Sequence, residues 1–231
     1  MPRLYGPEHT TYVIASVVLA ILVCVLAKLF IKTEKAKSIF MRCAGGVLFT
    51  VILINRLALV YEYDTVRWIK LITDSVCSTT SYVLGLALLF GKKNNPILHF
   101  VWLIALGGGV ITTFYPNFID QNPSFWYPPT ILGMMHHTIS AIVVILMLMF
   151  KYVNITYKKW YYSLWGFTTY LSYGAFLMCV LDMSNPFYMT GPAVSDTPLT
   201  IWVIMPIYIV VYTLILLVVE IVRKHKIKTD N

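Results

Sequence analysis

The chain has 231 residues, 58% of them hydrophobic and only 12% charged, with a mean hydropathy of +0.74 and a formal net charge of +8. A soluble domain carries about a quarter charged residues and shorter apolar runs, so the composition excludes one. The period-2 alternation of a membrane barrel is also absent. The basic residues lie in short clusters between apolar runs, the pattern that encodes membrane orientation, so nucleic acid is excluded as a partner. These features predict an all-α polytopic membrane bundle, with residues 1–231 forming one integral membrane domain. Met1 to Thr10 lacks the positive cluster of a cleavable signal peptide.

A helix needs about 20 apolar residues to cross a bilayer. Seven runs qualify in chain order: Thr11–Ile31, Ile39–Val60, Trp68–Phe90, Ile97–Phe114, Thr130–Phe150, Trp160–Asp182 and Leu199–Val222. Six spans are the alternative. Lys32, Lys35 and Lys37 follow the first run; Lys92 and Lys93 follow the third. Lys151, Lys158 and Lys159 follow the fifth, and Arg223, Lys224, Lys226 and Lys228 the seventh. The connections Tyr115–Pro129 and Met183–Pro198 contain no Lys or Arg. Arg67 and Lys70 run against this trend, but the other connections place the N-terminus outside and the C-terminus in the cytoplasm. The chain is thus expected in the cell membrane as a multi-pass protein. The Pro- and aromatic-rich outer connections read as interfacial anchors, or as a lid over a pocket.

Ionisable groups inside a span are costly and mark functional sites by default. His136 and His137 interrupt the fifth run, roughly 10 Å below its outer boundary at 1.5 Å per residue. Asp74 and Cys77 fall at a similar depth on the third run. Asn55 and Arg56 occupy the outer third of the second, and Asp182 ends the sixth. Asp74, Cys77, Ser78 and Ser81 follow i, i+3, i+4, i+7 spacing, one helical stripe. Such a stripe of small residues also suits a close helix–helix contact. Gly133, His137 and Ser140 form a comparable stripe. Gly107-Gly108-Gly109 permits close packing or an opening of the helix, packing being the simpler account. Adjacent helical positions point about 100° apart, so only one of the two histidines is expected to face the polar cluster, and the pair is not expected to share a metal ion.

These residue types suit nucleophilic chemistry. A cysteine attacks as the thiolate, a state that apolar surroundings disfavour. A histidine within hydrogen-bond reach can take the proton, and an acid such as Asp74 or Asp182 can orient that histidine. Arg56 can neutralise a phosphate or a developing oxyanion, or pair with Asp74 as a structural ion pair. Cys179 stands as an alternative nucleophile or a disulfide partner for Cys77. Cys24 and Cys43 lie in the inner half, away from the polar groups. No CxxC or paired spacing suggests a metal, and no cofactor is expected.

Four ordered landmarks carry a resemblance over about Ile72 to Tyr212. They are Asp74-Ser75-Val76-Cys77-Ser78 with Gly91-Lys92-Lys93-Asn94, Gly107-Gly108-Gly109 leading to Tyr115-Pro116, His136-His137, and Asn185-Pro186-Phe187-Tyr188-Met189 followed by Leu199 and Pro206-Ile207-Tyr208. In these the chain resembles the YwaF-type bacterial integral membrane family, related to the transmembrane protein 164 lipid acyltransferases. The resemblance implies acyl transfer between membrane lipids through an acyl-thioester, with Cys77 as nucleophile and His137, or His136 in its place, as base. A membrane phospholipid would be the substrate; acceptor and oligomeric state stay open. The alternative function is a small-solute transporter or substrate-binding membrane subunit, for which an internal repeat would speak; none is visible. A retinal photoreceptor is disfavoured because Leu199–Val222 contains no lysine.

Overall fold

The computed structural model describes residues 6–62, 66–116, 124–194 and 196–229, with side chains to 225. Asn117 and Phe118 of the outer connection fall outside the described residues. Seven α-helices and no strand occur among the described residues: α1 Pro7–Phe30, α2 Glu34–Val60, α3 Val76–Leu89, α4 Pro96–Phe114, α5 Pro128–Met149, α6 Tyr161–Leu181 and α7 Ile201–Thr229. Six of them are long and apolar enough to cross a membrane. Local chemistry sets several starts. Pro7, Pro96 and Pro128 open α1, α4 and α5, where a missing N–H costs nothing. Thr33 and Asn95 cap α2 and α4 by accepting hydrogen bonds from the N–H groups of Ala36 and Leu98.

The third apolar run departs from the expectation of one continuous span. It contains a 3₁₀ turn at Trp68–Leu71, a non-helical stretch, and then α3 of 14 residues. Fourteen residues rise about 21 Å, short of the roughly 30 Å hydrocarbon core. The sequence Thr73-Asp74-Ser75 explains the break, because short polar side chains offer the backbone bonds outside a helix. The Thr79 hydroxyl donates back to Thr73 Oγ1 at 2.9 Å. The Asp74 carbonyl accepts from the Phe187 N–H at 2.7 Å. Asp74 therefore precedes the helix, and the expected four-residue helical stripe shortens to Cys77, Ser78 and Ser81.

The residues pack as two compact units, one of Met1–Thr73 with Cys77–Tyr152 and one of Asp74–Val76 with Val153–Asn231. In the first unit α5 is the central helix: two-thirds (67%) of its apolar window is buried, against 11% for α1. It packs on α1, α2 and α4. The α2–α3 crossing is close because a Cβ at Gly45 would lie 2.6 Å from Leu88 Cβ, and one at Gly85 would lie 3.1 Å from the Gly45 carbonyl. The outer face of α1 (Ile14, Val18, Ile21, Leu22) is exposed and apolar, as a lipid-facing surface must be.

The connections sort to two ends of this unit. Lys93 pairs with Glu34 at 2.9 Å, and the Asn94 N–H donates to the Tyr152 carbonyl at 3.0 Å, so the basic connections gather at one end. At the other end the Tyr127 hydroxyl donates to the Glu62 carbonyl at 3.0 Å, and His9 Nε2 contacts the Thr113 carbonyl at 3.0 Å. This is the alternation of charge that the sequence displays.

A hydroxyl chain ties α1 to α5 and α4. Thr113 donates to the Gly109 carbonyl at 2.7 Å, so Thr113 must accept from Thr138 (2.9 Å), which accepts from Tyr12 (2.9 Å). Thr138→Val removes both of its bonds and leaves the Tyr12 hydroxyl with Ser16 as its partner. A loss of about 1–2 kcal/mol is expected, read as a lower melting temperature in detergent, with Thr138→Ser retaining wild-type behaviour.

In the second unit α6 packs on α7, and the 3₁₀ turn Pro186–Tyr188 packs on α6. Phe187 and Tyr188 both adopt left-handed backbone conformations, φ 54° and 61°. Such residues are held by their surroundings. The buried Phe187 ring lies 5.4 Å from Tyr170 and 5.6 Å from Tyr173, above Gly174, where a Cβ would come within 3.1 Å of it. Asn185 Oδ1 accepts from the N–H groups of Thr190 and Gly191, and Trp202 Nε1 donates to the Met189 carbonyl at 2.9 Å. Phe187 is thus a buried plug, not an interfacial anchor.

Candidate functional site

Four helices of the first unit bring the polar groups together. From α2, Asn55 and Arg56 are buried at 3% and 6% exposure, far below what an amide and a guanidinium facing solvent or lipid headgroups would show. The Asn55 amide donates to the Pro129 carbonyl at the start of α5, at 3.1 Å. The Arg56 guanidinium donates to Ser78 Oγ of α3 at 2.5 Å. A fixed, buried cation is suited to a phosphate or a developing oxyanion.

From α5 come His136 and His137, both buried. Their Cα–Cβ bonds diverge around the helix, but side-chain rotation brings the rings to a centroid separation of 4.2 Å and an interplanar angle of 32°. The two imidazoles are in tilted contact with each other. His136 Nδ1 lies 3.2 Å from Ser81 Oγ on α3. Ser81 Oγ lies 2.9 Å from Ser140 Oγ, and Ser140 donates to the His136 carbonyl one turn earlier at 2.7 Å. No ring hydrogen bond to His137 occurs among the described residues.

The glycine triplet of α4 explains how the cysteine and histidine helices meet. A Cβ at Gly107 would have open space. One at Gly108 would stand 3.0 Å from Cys77 Sγ, and one at Gly109 would stand 2.5 Å from the His137 carbonyl and 2.9 Å from Ala141 Cβ. Successive glycines therefore seat the thiol on one side and the histidine turn of α5 on the other. Packing is the role of Gly108 and Gly109, and Gly107 takes no part in it. Cys77 itself is half-buried.

Asp74, Asp182 and Cys179 belong to the second unit. The Asp74 carbonyl holds the Phe187 N–H. Asp182 is the exposed, left-handed C-cap of α6 (φ 52°). Cys179 is exposed on α6, and Cys77 and Cys179 are both free thiols, so the disulfide alternative is not formed. Ser81 and Ser140 complete the histidine environment. The sequence displayed both on helical stripes, but nothing in it assigned them to His136; the i, i+4 spacing of His136 and Ser140 was the available signal.

The fold and site define a multi-pass membrane protein with a half-buried thiol, a histidine pair in ring contact and a fixed guanidinium within one helical unit. The chain matches the TMEM164 family over residues 4–222, nearly its whole length, and it belongs to that family. No curated protein and no solved structure matches the chain.

Proposed function

We propose that the protein is a membrane lipid acyltransferase working through an acyl-thioester on Cys77. The observation that carries this reading is the seating of Cys77 Sγ and of the His137 turn against the neighbouring residues Gly108 and Gly109. Membership of the TMEM164 family supports it as well. In the first half-reaction Cys77 Sγ attacks the ester carbonyl carbon of a glycerolipid. The histidine pair takes the thiol proton and returns it to the departing glycerol oxygen as the C–O bond breaks, releasing a lyso-lipid. In the second, the hydroxyl of a lyso-lipid or an amine attacks the thioester. The same base takes the incoming proton and returns it to the sulfur. Arg56 offsets the charge on the tetrahedral oxygen or holds the donor's phosphate. With the N-terminus outside, as the basic connections imply, the donor comes from the outer leaflet.

The test is covalent. Purified protein in nanodiscs is incubated with a phospholipid donor, quenched in acid and analysed by intact mass. One added acyl mass, removed by hydroxylamine and mapped to the Cys77 peptide, is expected. Turnover of the donor with no adduct at Cys77 under any quench condition would overturn the thioester route.

A further inference from the structure

Proton counting within the Ser140–Ser81–His136 chain decides which nitrogen of His136 is free. A serine hydroxyl has one hydrogen to donate. That of Ser140 is committed to the His136 carbonyl at 2.7 Å, because a carbonyl only accepts. In the 2.9 Å contact between the two hydroxyls Ser140 must therefore accept, and the single hydrogen of Ser81 points to it. Ser81 then has only lone pairs to offer at its 3.2 Å contact with His136 Nδ1, so Nδ1 carries the hydrogen and donates. A neutral imidazole has one N–H, which leaves Nε2 with its lone pair bare.

We infer that Ser81 and Ser140 are positioning residues that lock His136 in the Nδ1–H tautomer, making Nε2 of His136 the base nitrogen of the site. The inference rests on the acyl-transfer reading for the purpose of that base, while the tautomer itself does not depend on it. The logic is that of any oriented catalytic histidine: a partner on one ring nitrogen fixes both tautomer and ring direction and readies the other nitrogen. Here the partner is a hydroxyl, and its accepting role is imposed from one residue further away. All three side chains are buried, at 2%, 2% and 1% exposure for His136, Ser81 and Ser140, so water does not compete for these bonds. The ring of His137, in tilted contact at a centroid separation of 4.2 Å, restricts the other degree of freedom, the tilt of the His136 plane. The histidine that the chain anchors is thus His136, and its neighbour supports it.

The experiment reads the tautomer directly. Protein labelled with ¹⁵N-histidine is reconstituted in lipid, and the His136 nitrogens are identified by comparison with His136→Gln. In the wild type, Nδ1 is expected to carry the proton and Nε2 to show the unprotonated, pyridine-type signal. Ser140→Ala is the decisive variant, because Ser140 does not touch the ring. Its loss frees the Ser81 hydrogen to turn and donate to Nδ1, so the proton should move to Nε2. Acyl transfer should then fall at least about tenfold, as wrong-tautomer variants of catalytic histidines do. Ser140→Thr, which keeps the hydroxyl, should restore both the tautomer and the rate. An Nε2–H signal in the wild type, an unchanged tautomer in Ser140→Ala, or a shifted tautomer with unchanged acyl transfer would each overturn the inference. Because the tautomer is recorded without substrate, a missing acyl adduct on Cys77 would count against the proposed function and leave this result standing.

Discussion

Cys77→Ala is expected to abolish acyl transfer, with kcat reduced at least about 10³-fold, because removal of a covalent nucleophile leaves only binding and electrostatic catalysis. The fold should survive. Cys77 is half-buried and its sulfur rests on Gly108, so the substitution removes one atom at the edge of a packed helix and opens little volume. Cys77→Ser separates chemistry from packing further: it restores the volume but presents a poorer nucleophile, so it should retain the melting temperature and little activity. The measurement is single-turnover transfer from a labelled phospholipid, beside a melting curve for each variant. Activity within twofold of wild type in Cys77→Ala would remove this cysteine from the mechanism, and exposed Cys179 would be the next thiol to substitute.

Gly109→Val should destabilise the first unit by about 3 kcal/mol, or prevent its assembly. The added Cβ would stand 2.5 Å from the His137 carbonyl and 3.0 Å from the Ala141 N–H nitrogen, both backbone atoms of the central helix α5. Backbone cannot rotate away as a side chain does, so α4 and α5 must separate. Overpacking of this kind costs about 1–3 kcal/mol or more. Gly107→Ala, two residues away, is the internal control. Its Cβ meets nothing within 4 Å, and alanine is favoured over glycine inside a helix by roughly 0.5–1 kcal/mol. The same triplet should therefore contain one position that tolerates or gains from a methyl group and one that collapses. Thermal unfolding in a single detergent measures both. Equal behaviour of the two variants would show that the triplet acts through helix flexibility, not through close approach.

The broad class of this protein was legible in its residues. Apolar runs of about 20 residues and a low charge density leave few options besides a helical membrane bundle. Clusters of lysine between alternate runs sort the connections to two ends, and the Glu34–Lys93 pair and the Asn94–Tyr152 bond join the basic connections at one of them. Period and composition report what each segment contributes, because hydrophobicity is a local property of the chain. They also marked the candidate residues by cost: a histidine pair, an arginine and an amide in apolar runs call for partners.

The identity of those partners was decided only by tertiary structure. Hydropathy made Trp68–Phe90 one segment, whereas the Thr73-Asp74-Ser75 stretch and the Phe187 N–H on the Asp74 carbonyl divide it and start the helix at Val76. Helical geometry alone set His136 and His137 apart, whereas side-chain rotation brings their rings into tilted contact at 4.2 Å. Asp74 and Asp182, orienting acids by residue type, occupy a loop and a helix cap of the second unit. The group that contacts a histidine ring is instead Ser81, 55 residues before it in the chain. Sequence spacing reports neighbours within a helix, but a hydrogen bond between helices depends on their crossing, and here Gly108 and Gly109 on α4 and Gly45 and Gly85 on α2 and α3 set how close those crossings are.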